Sequence, residues 1–369
     1  RTRPPGQFVL AGMLPDKRQT MLNAYHQALP RLMTVPPAYF RRAVLQNEPY
    51  PVRAAYIQCS NPMLTWAESD WTRQSLMALD FCAVSEVVMT PTAQLADVVL
   101  PAATSPEFND IGHYGLGHGL VLARPKVFDP PGHCWPDMKI LNELGKMLTP
   151  KSLWFSDHED LLDHLLEPAG LDFQELSRHE ALKGEKAFQV HQKSGFKTRS
   201  GLVELELSRA AAMGQTPYPE WNGPPEDPDP NYPLLLTTAK SRVFLHSSYR
   251  WVESLRKRHA HPYCLVNPET AARLGISDNE PVRIETKHGS MTQIARLTDR
   301  VRPDAVQADY GWWFPEAEAA TLFKWDLANY NLLTSASRLG RAFGTPNLKG
   351  LSCRISPAGA DSGYAEFAD

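Results

Sequence analysis

The sequence lacks the cysteine patterns that mark a metal-binding or electron-transfer domain. No two cysteines have the spacing of a zinc or iron–sulfur site. We therefore expect free, buried thiols that pack as small hydrophobic side chains, and no iron–sulfur cluster within this chain. The five residues concerned are Cys59, Cys82, Cys134, Cys264 and Cys353.

Long hydrophobic runs and an excess of one charge are also absent. No apolar run approaches the length that spans a membrane, and a net charge of -3 over 369 residues gives no reason to expect binding to nucleic acid. No G-x-G-x-x-G follows a predicted strand, which disfavours a plain Rossmann dehydrogenase. The chain begins at Arg1 in a polar stretch without the hydrophobic region of a signal peptide. We expect it to be a piece of a longer polypeptide.

The sequence does have the composition of a folded globular protein, 43% hydrophobic and 21% charged, with enough residues for two or three domains. Residues 216–233 hold seven of the 32 prolines and cannot form the interior of a helix or strand. We expect an α/β part in residues 1–215, an extended linker in 216–233 and a β-rich part in 234–369.

Strand-like and helix-like segments alternate in the first part. Buried strands are predicted at 54–59, 81–89 and 97–101, and helices at 66–80 and 135–148. This order predicts an open, mostly parallel sheet, in which ligands bind beyond the carboxyl ends of the strands. The apolar positions expected to face the core of this part are Trp66, Leu76, Leu79, Ile140, Leu141, Leu144 and Leu148.

Residues 151–215 have a less regular pattern. Two short amphipathic helices are predicted at 158–170 and 172–184, and an alternating strand follows a turn within 198–207. We therefore expect small elements here rather than an extension of the parallel sheet.

The β-rich part contains several alternating strands and one short helix. A turn at His288-Gly289 predicts a hairpin. Asn267, Pro268 and Gly275 predict the start and the end of the helix between them. Together these elements predict a compact barrel.

Several of these segments carry a resemblance to a known family. The stretch TPTAQLADVVLPAATSPE (91–108) resembles the signature of molybdopterin oxidoreductases of the dimethyl sulfoxide reductase family. The second half is similar to the family's C-terminal dinucleotide-binding domain, and GWWFPE and AKSRVFLHSSYR resemble the branch of acetylene hydratase and formate dehydrogenase-like proteins. The further matching segments are CSNPMLT (59–65), PDMKILNELGKML (136–148), LTTAKSRVFLHSSYRWVESLR (236–256), NPETAARLGISDNEPVRIETKHG (267–289), GWWFPE (311–316), NYNLLT (329–334) and PNLKGLSCRI (346–355).

The resemblance implies an open, mostly parallel α/β domain followed by a C-terminal double-psi β-barrel. It also implies a cofactor of molybdenum or tungsten held by two molybdopterin guanine dinucleotides. Family members carry a cysteine-rich iron–sulfur domain and then a Cys, selenocysteine or Ser that ligates the metal, and this sequence contains neither. The resemblance thus implies the C-terminal half of a catalytic subunit, which supplies walls of the cofactor site. A 4Fe-4S cluster is expected only in the missing N-terminal part or in a partner.

Three functions follow from the resemblance. The leading hypothesis is two-electron redox chemistry on a small-molecule substrate, in a subunit that also has an iron–sulfur electron-transfer partner. The second is a non-redox reaction on the same cofactor, as in hydration. The third is a non-catalytic module for cofactor binding or assembly. The substrate and the compartment, cytoplasmic or periplasmic, stay open.

The resemblance also implies cofactor contacts in the first part. Asp137 and the loop from Asn61 to Thr65 would read the guanosine end of one dinucleotide, and Thr90 and Thr92 would face the nucleotide. On local sequence alone, Asp137 is equally a helix-start carboxylate that interacts with the helix dipole, and the threonines are turn caps. Asp97 is expected to bind local backbone amides.

In the barrel, the resemblance places a set of polar residues near a pyrophosphate or a pterin. Charge-assisted hydrogen bonds from the cations of this set would suit a pyrophosphate. The alternatives are an exposed basic turn, a core histidine and ordinary caps. The residues are Thr238, Lys240, Ser241, Arg242, His246, Asn331 and Lys349.

Two further pairs of residues raise other expectations. Trp312 and Trp313 are expected in the barrel core, where their indole N–H groups need partners. His113 and His118 lie in a Gly-rich stretch that departs from the family pattern. They could form a metal pair, but no third ligand is evident, so we predict no metal ligand in this chain.

Overall fold

A computed structural model describes most of the chain. The described residues are 35–113, 120–179, 181–183, 188–198, 200–206, 211, 214, 216–218, 221, 223, 229–340, 343–359 and 362–364.

Helices and strands are numbered in chain order. The α-helices are α1 (Pro37–Leu45), α2 (Pro62–Thr65), α3 (Ser69–Met77), α4 (Asp137–Leu148), α5 (His158–Leu166), α6 (Phe173–Leu176), α7 (His191–Ser194), α8 (Glu253–Arg256), α9 (Pro268–Leu274) and α10 (Trp325–Ala328). The strands are β1 (Ala54–Gln58), β2 (Phe81–Glu86), β3 (Val98–Pro101), β4 (Asp110–His113), β5 (Leu120–Arg124), β6 (Leu182–Lys183), β7 (Leu234–Thr238), β8 (Tyr263–Val266), β9 (Pro281–Thr286), β10 (Gly289–Leu297), β11 (Ala305–Ala308) and β12 (Leu351–Pro357).

The first three strands form a parallel sheet in the order β1-β2-β3. Its central strand β2 is the apolar run that the sequence marks as buried, and Val84 in it is fully enclosed. Beyond β3, Ala102 pairs in parallel with Trp135, so α4 starts beside the carboxyl ends of the strands. This edge of the sheet therefore collects the loops after β1 and β2 together with the first turn of α4.

The region after this sheet differs from its prediction. Strands β4, β5 and β6 form a second, antiparallel sheet, which the sequence did not predict. Residues 200–206 form no strand, so the strand predicted within 198–207 is wrong over its described part. The apolar stripe of α4 is also only partly buried: Ile140 is enclosed, whereas Leu144 and Leu148 are exposed.

The second half contains a closed six-stranded barrel, in the order β10-β8-β11-β7-β12-β9, which confirms the predicted barrel. Its interior is filled by alternate residues of each strand, among them Leu236, Val266 and Ile284, all fully buried. The predicted β9–β10 hairpin is present. Helix α9 is capped by Asn267, whose side chain accepts a hydrogen bond from the Glu269 amide.

The two halves share a large hydrophobic cluster, besides a smaller one in which Ala336 packs against α1. Met63 and Leu64 of α2 and Leu76 of α3 pack with Trp313 and Trp325 from the second half. Each of these side chains is at most 6% exposed. The carboxyl edge of the parallel sheet is therefore fixed against the barrel domain by apolar packing.

The cysteines of the described chain are unpaired, but they are not all buried as predicted. Cys82, Cys264 and Cys353 are enclosed, whereas Cys59 is exposed and Cys134 is half-buried. Burial raises the pKa of Cys353 to about 12. The described part of the chain contains no helix of the length and apolar character needed to cross a membrane.

Candidate cofactor-binding site

The Asp137 carboxylate lies at the carboxyl edge of the parallel sheet, in the first residue of α4. The hydroxyl of Ser85, in β2, donates a hydrogen bond of 2.7 Å to its Oδ1. The thiol of Cys59, which follows β1, donates one of 3.2 Å to its Oδ2. Two strands and one helix therefore hold this carboxylate from both sides.

The Cys59 thiol is suited to donate at neutral pH. Partial burial, the hydrogen bond to Asp137 and the negative charge of that carboxylate raise the pKa of the thiol to about 11. Burial, followed by the charge of Asp137, also raises the pKa of the nearby Glu86 carboxyl group. Asp137 itself stands in the first turn of a twelve-residue helix, where the helix dipole favours negative charge.

Asn61 and Thr92 join the loops that follow β1 and β2. The Thr92 hydroxyl donates a hydrogen bond of 2.6 Å to Asn61 Oδ1 and accepts one of 3.1 Å from the Met63 amide. The Thr65 hydroxyl donates back to the Asn61 carbonyl over 2.9 Å. Asn61 and Thr92 are both buried. The structure thus brings Asn61, Thr65 and Thr92 together, and their contact with a nucleotide stays a prediction.

The Thr90 and Asp97 side chains bind backbone amides. The Thr90 hydroxyl accepts a hydrogen bond of 3.2 Å from Ala93, at the start of a short 3-10 helix. Asp97 Oδ2 accepts one of 2.7 Å from the Cys82 amide in β2, 15 residues away, rather than from the local backbone amides that the sequence predicted. Thr90 has the geometry of a cap, and its predicted contact with the nucleotide stays a prediction.

The second group of predicted residues lies at one end of the barrel, where β7 ends. Strand β12 runs antiparallel to β7 with Leu351 opposite Leu236, and Lys349 lies in the bend that leads into β12. The Thr238 hydroxyl is buried and has no hydrogen-bond partner within the described chain. A buried hydroxyl without a partner is costly, so this atom is a candidate for binding a ligand.

The turn after β7 carries Lys240 and Arg242 into solvent. The Ser241 hydroxyl between them accepts hydrogen bonds from the amides of Val243 and Phe244, at 3.0 and 3.2 Å, and so shapes the turn. Lys240 and Arg242 form no ion pair within the part of the chain that the structure describes. Their charges are therefore available to an anion at this end of the barrel.

His246 is exposed, in contrast to the alternative of a core histidine. Its Nδ1 lies 2.7 Å from the Tyr310 hydroxyl. Its backbone has a φ of +50° and packs against Gly311, where a Cβ would approach the His246 carbonyl oxygen to 3.0 Å. Gly311 therefore allows the close approach that sets His246 beside Tyr310.

Arg250, which was not among the predicted site residues, supports this turn from below. It is 2% exposed, and its guanidinium lies 3.9 Å from the Phe244 ring centroid and 4.7 Å from that of Trp312. It donates to the carbonyl oxygens of His246 and Tyr310, at 3.0 and 3.4 Å. Burial lowers its pKa to about 9.

Asn331 lies between the barrel and α2, which is part of the loop from Asn61 to Thr65. Its side-chain amide donates a hydrogen bond of 2.9 Å to the Leu64 carbonyl, and its Oδ1 accepts one of 3.2 Å from Thr334. Asn329 lies beside it and donates to the Met63 carbonyl and to Ser69, at 3.0 and 2.9 Å. These contacts connect the two halves of the chain, and the predicted approach of Asn331 to a pterin stays a prediction.

Trp312 and Trp313 are at most 1% exposed, but neither lies in the barrel core as predicted: Trp313 packs with Met63 and Leu64, and Trp312 packs with Phe244 and Phe314. Trp313 donates its indole hydrogen to the Ser247 carbonyl over 3.0 Å. The Trp312 indole nitrogen has no partner within the described chain. The expectation of a partner for each indole N–H is therefore met for one ring.

Four surface pockets of about 330 to 650 Å³ are lined by residues other than the predicted site residues. The smallest is apolar and lies on α4, between Leu141 and Trp154.

No group of three His, Cys, Asp or Glu side chains that could hold a metal ion is present among the described residues. The side chains of His113 and His118, which the sequence analysis considered as a metal pair, lie outside the described part of the chain.

Sequence comparison identifies both halves. Residues 234–352 match the molydopterin dinucleotide binding domain, and residues 21–147 match the molybdopterin oxidoreductase domain. The chain belongs to the molybdopterin oxidoreductase family. The family match assigns the barrel to a domain that binds a molybdopterin dinucleotide.

Similar proteins in this family have different activities. The chain is 27% identical to acetylene hydratase from Syntrophotalea acetylenica, over 91% of this chain and 48% of the relative. It is 26% identical to dopamine dehydroxylase from Eggerthella lenta, over 86% and 39%. It is 29% identical to the alpha subunit of F420-dependent formate dehydrogenase 2 from Methanococcus maripaludis, over 70% and 38%.

The fold is similar to that of a solved family member. Acetylene hydratase from Pelobacter acetylenicus superposes with a TM-score of 0.83 at 24% identity, over 92% of this chain and 50% of that one. The chain spans about half the length, or less, of the relatives that it matches.

Proposed function

We propose that this chain forms two walls of the site for a bis(molybdopterin guanine dinucleotide) cofactor, in an enzyme that catalyses two-electron redox chemistry on a small molecule. The observation that carries the proposal is the end of the barrel after β7. There a buried hydroxyl without a partner in the described chain, on Thr238, lies close in sequence to the exposed cations Lys240 and Arg242.

The residues at this end of the barrel fit a pyrophosphate. Its charge needs cations and hydrogen-bond donors, and lysine and arginine supply charge-assisted hydrogen bonds to phosphate oxygens. The Thr238 hydroxyl would donate to the same group. Arg250, buried beneath the turn, adds a positive charge, on which the Asp309 carboxylate also acts electrostatically.

The residues at the edge of the parallel sheet fit a guanine base. Asp137 offers two carboxylate oxygens, and each has one lone pair left after the bonds from Ser85 and Cys59. Guanine presents a ring N–H beside an amino group, a pair of donors that one carboxylate can accept. Asn61, Thr65, Thr90 and Thr92 would shape the surrounding loops.

The bound cofactor would supply the redox chemistry of its molybdenum or tungsten ion. The residues of this chain would bind and orient its organic part and exclude water from it. His246, exposed and hydrogen-bonded to Tyr310, would approach the pterin at the barrel surface. Asn331 and Lys349 would complete that wall. We also propose that the closed barrel has the double-psi path and that the α/β part is an open, mostly parallel domain.

The remaining parts of the proposal concern what the described residues do not contain. The ligand of the metal and a 4Fe-4S cluster would come from the N-terminal half of the same catalytic subunit. Electrons would pass to an iron–sulfur partner subunit.

A non-redox reaction on the same cofactor is the second candidate, because acetylene hydratase is similar in both sequence and fold. A non-catalytic binding or assembly module is the third.

The decisive measurement is the composition of the protein purified from its native host. We expect pterin and guanosine nucleotide at two per polypeptide, with molybdenum or tungsten at one. Iron above background would support the cluster. Protein free of pterin would refute the proposed cofactor. Reversible reduction of the loaded protein by dithionite, followed by its electron paramagnetic resonance spectrum, would separate redox chemistry from hydration.

A further inference from the structure

The Asp137 carboxylate is fixed by donors on two neighbouring strands. Ser85 lies in β2 and is 3% exposed, and Cys59 directly follows β1, which pairs with β2 in register up to Gln58 and Ser85. Because each donor binds a different oxygen of the carboxylate, rotation about the last side-chain torsion would break both bonds. The orientation of the carboxylate plane is therefore set by the sheet.

We propose that Ser85 and Cys59 are positioning residues that turn the Asp137 carboxylate toward a nucleobase with two adjacent N–H donors, and so give the site its preference for guanine. The inference rests on the proposed function, since it concerns the nucleotide end of that cofactor. It adds two residues that the family resemblance did not assign.

The chemistry of the bases supports the preference for guanine. An ionised carboxylate only accepts hydrogen bonds, so it matches the ring N–H and the amino group of guanine. Hypoxanthine offers the ring N–H without the amino group. Cytosine places an acceptor nitrogen beside its amino group and would oppose one carboxylate oxygen with a lone pair. The preference depends on both oxygens facing the base together, which is the property that Ser85 and Cys59 control.

The backbone conformation at Cys59 allows two variants to be compared at equal backbone strain. Cys59 has a φ of +51°, a left-handed conformation that disfavours alanine, serine and cysteine alike. Cys59→Ala and Cys59→Ser therefore carry the same backbone strain and differ in the hydrogen-bond donor. Its raised pKa keeps the thiol protonated, so both wild type and Cys59→Ser present a neutral donor to Asp137.

The test is calorimetric titration of the full-length protein, produced without cofactor, with GMP, IMP and CMP. We expect GMP to bind about tenfold more tightly than IMP, since the amino group contributes one hydrogen bond to a charged acceptor, and CMP to bind more weakly than either. Cys59→Ala and Ser85→Ala should each bring the GMP-to-IMP ratio close to one, and Cys59→Ser should restore most of it.

If Ser85 and Cys59 had a purely structural role, their alanine variants would have a changed melting temperature and would bind GMP and IMP more weakly by the same factor. Ser75→Ala is the matched control, because Ser75 is a fully buried serine in α3 whose hydroxyl binds the Trp71 carbonyl at 2.7 Å. It should lower stability and leave the GMP-to-IMP ratio unchanged.

Two results would overturn the inference: no preference for GMP over IMP in the unmodified protein, or a preference that survives in both alanine variants. Failure of the proposed function and failure of the positioning role give different results. Native protein that contains pterin guanine dinucleotide, with a ratio unaffected by the variants, overturns the positioning role alone. Native protein without pterin, with a ratio that falls in the variants, overturns the proposed function alone.

Discussion

Asn329 connects the two halves of the chain, and we predict that its replacement by alanine destabilises both. Its side chain is fully buried and makes three hydrogen bonds. The amide donates to the Met63 carbonyl and to the Ser69 hydroxyl, at 3.0 and 2.9 Å, and the oxygen accepts from the Asn331 amide at 3.1 Å. Two of these partners lie about 260 residues away in sequence.

The magnitude follows from the groups left behind in Asn329→Ala. The Ser69 hydroxyl and the Asn331 amide are themselves buried, and each buried polar group without a partner costs about 1–3 kcal/mol. Relaxation and water entry recover part of this cost, so we expect the free energy of unfolding to fall by about 3 kcal/mol.

Urea denaturation followed by tryptophan fluorescence measures this effect, because Trp313 and Trp325 lie in the large cluster that the two halves share. Asn231→Ala is the control, since Asn231 is exposed and bonds only locally to Asp229. That control should change the free energy by no more than about 0.5 kcal/mol. If the free energy of unfolding of Asn329→Ala falls by less than about 1 kcal/mol, the connection between the two halves does not depend on this side chain.

Three other predictions concern the core and the Cys59 thiol. Leu236→Ala, at a fully buried barrel position, should lower the free energy of unfolding by about 2–5 kcal/mol, whereas Leu235→Ala, on the exposed side of the same strand, should have little effect in the same urea titration. Gly145→Val should destabilise α4 by at least about 1–3 kcal/mol, because a Cβ at Gly145 would lie 2.2 Å from the Trp154 ring. Gly359→Ala is the control, since a Cβ there meets nothing within 4 Å. Equal melting temperatures of the two variants would contradict the prediction. The rate of Cys59 alkylation by iodoacetamide, measured by peptide mass spectrometry, should rise with pH up to about pH 11 rather than level off near pH 9. The reason is that the raised pKa reduces the thiolate fraction at lower pH. A plateau of the rate near pH 9 in the folded protein would contradict this prediction.

The elements that the sequence predicted are those with a strong local pattern. The strands at 54–59 and 97–101 and the capped helix at Asn267 have the expected types, since apolar periodicity and capping residues act over a few positions. The exposed side of α4 was missed, because Leu144 and Leu148 follow a helical period that does not reveal whether a partner covers it.

The geometry of the candidate site needed the structure. Asp137 was marked by its motif, yet its donors Ser85 and Cys59 lie 52 and 78 residues away, and nothing local to either donor points to a carboxylate. Ser85 ends a continuous buried run in β2, so a buried serine at a strand end was the available signal. The sequence contains even less signal for Arg250, because its buried position depends on the rings of Phe244 and Trp312.

The barrel end after β7 leads to a last prediction, on cofactor retention. In the protein purified with its cofactor, replacing both Lys240 and Arg242 by alanine should lower pterin content at least tenfold, because each charge-assisted hydrogen bond to a phosphate is worth about 1.5–3 kcal/mol. Both side chains are exposed and without ion pairs in the described chain, so the melting temperature of cofactor-free protein should hardly change.

The matched control for this double variant uses the opposite end of the barrel. Arg300 and Arg302 are exposed cations in the connection that enters β11, whose first residue pairs with Leu235 at the start of β7. Replacing both removes the same formal charge from the domain, so a long-range effect of net charge would lower pterin content in both double variants. A local pyrophosphate site would lower it only in the Lys240 and Arg242 variant. Unchanged pterin content in that variant would return the two residues to the role of an exposed basic turn.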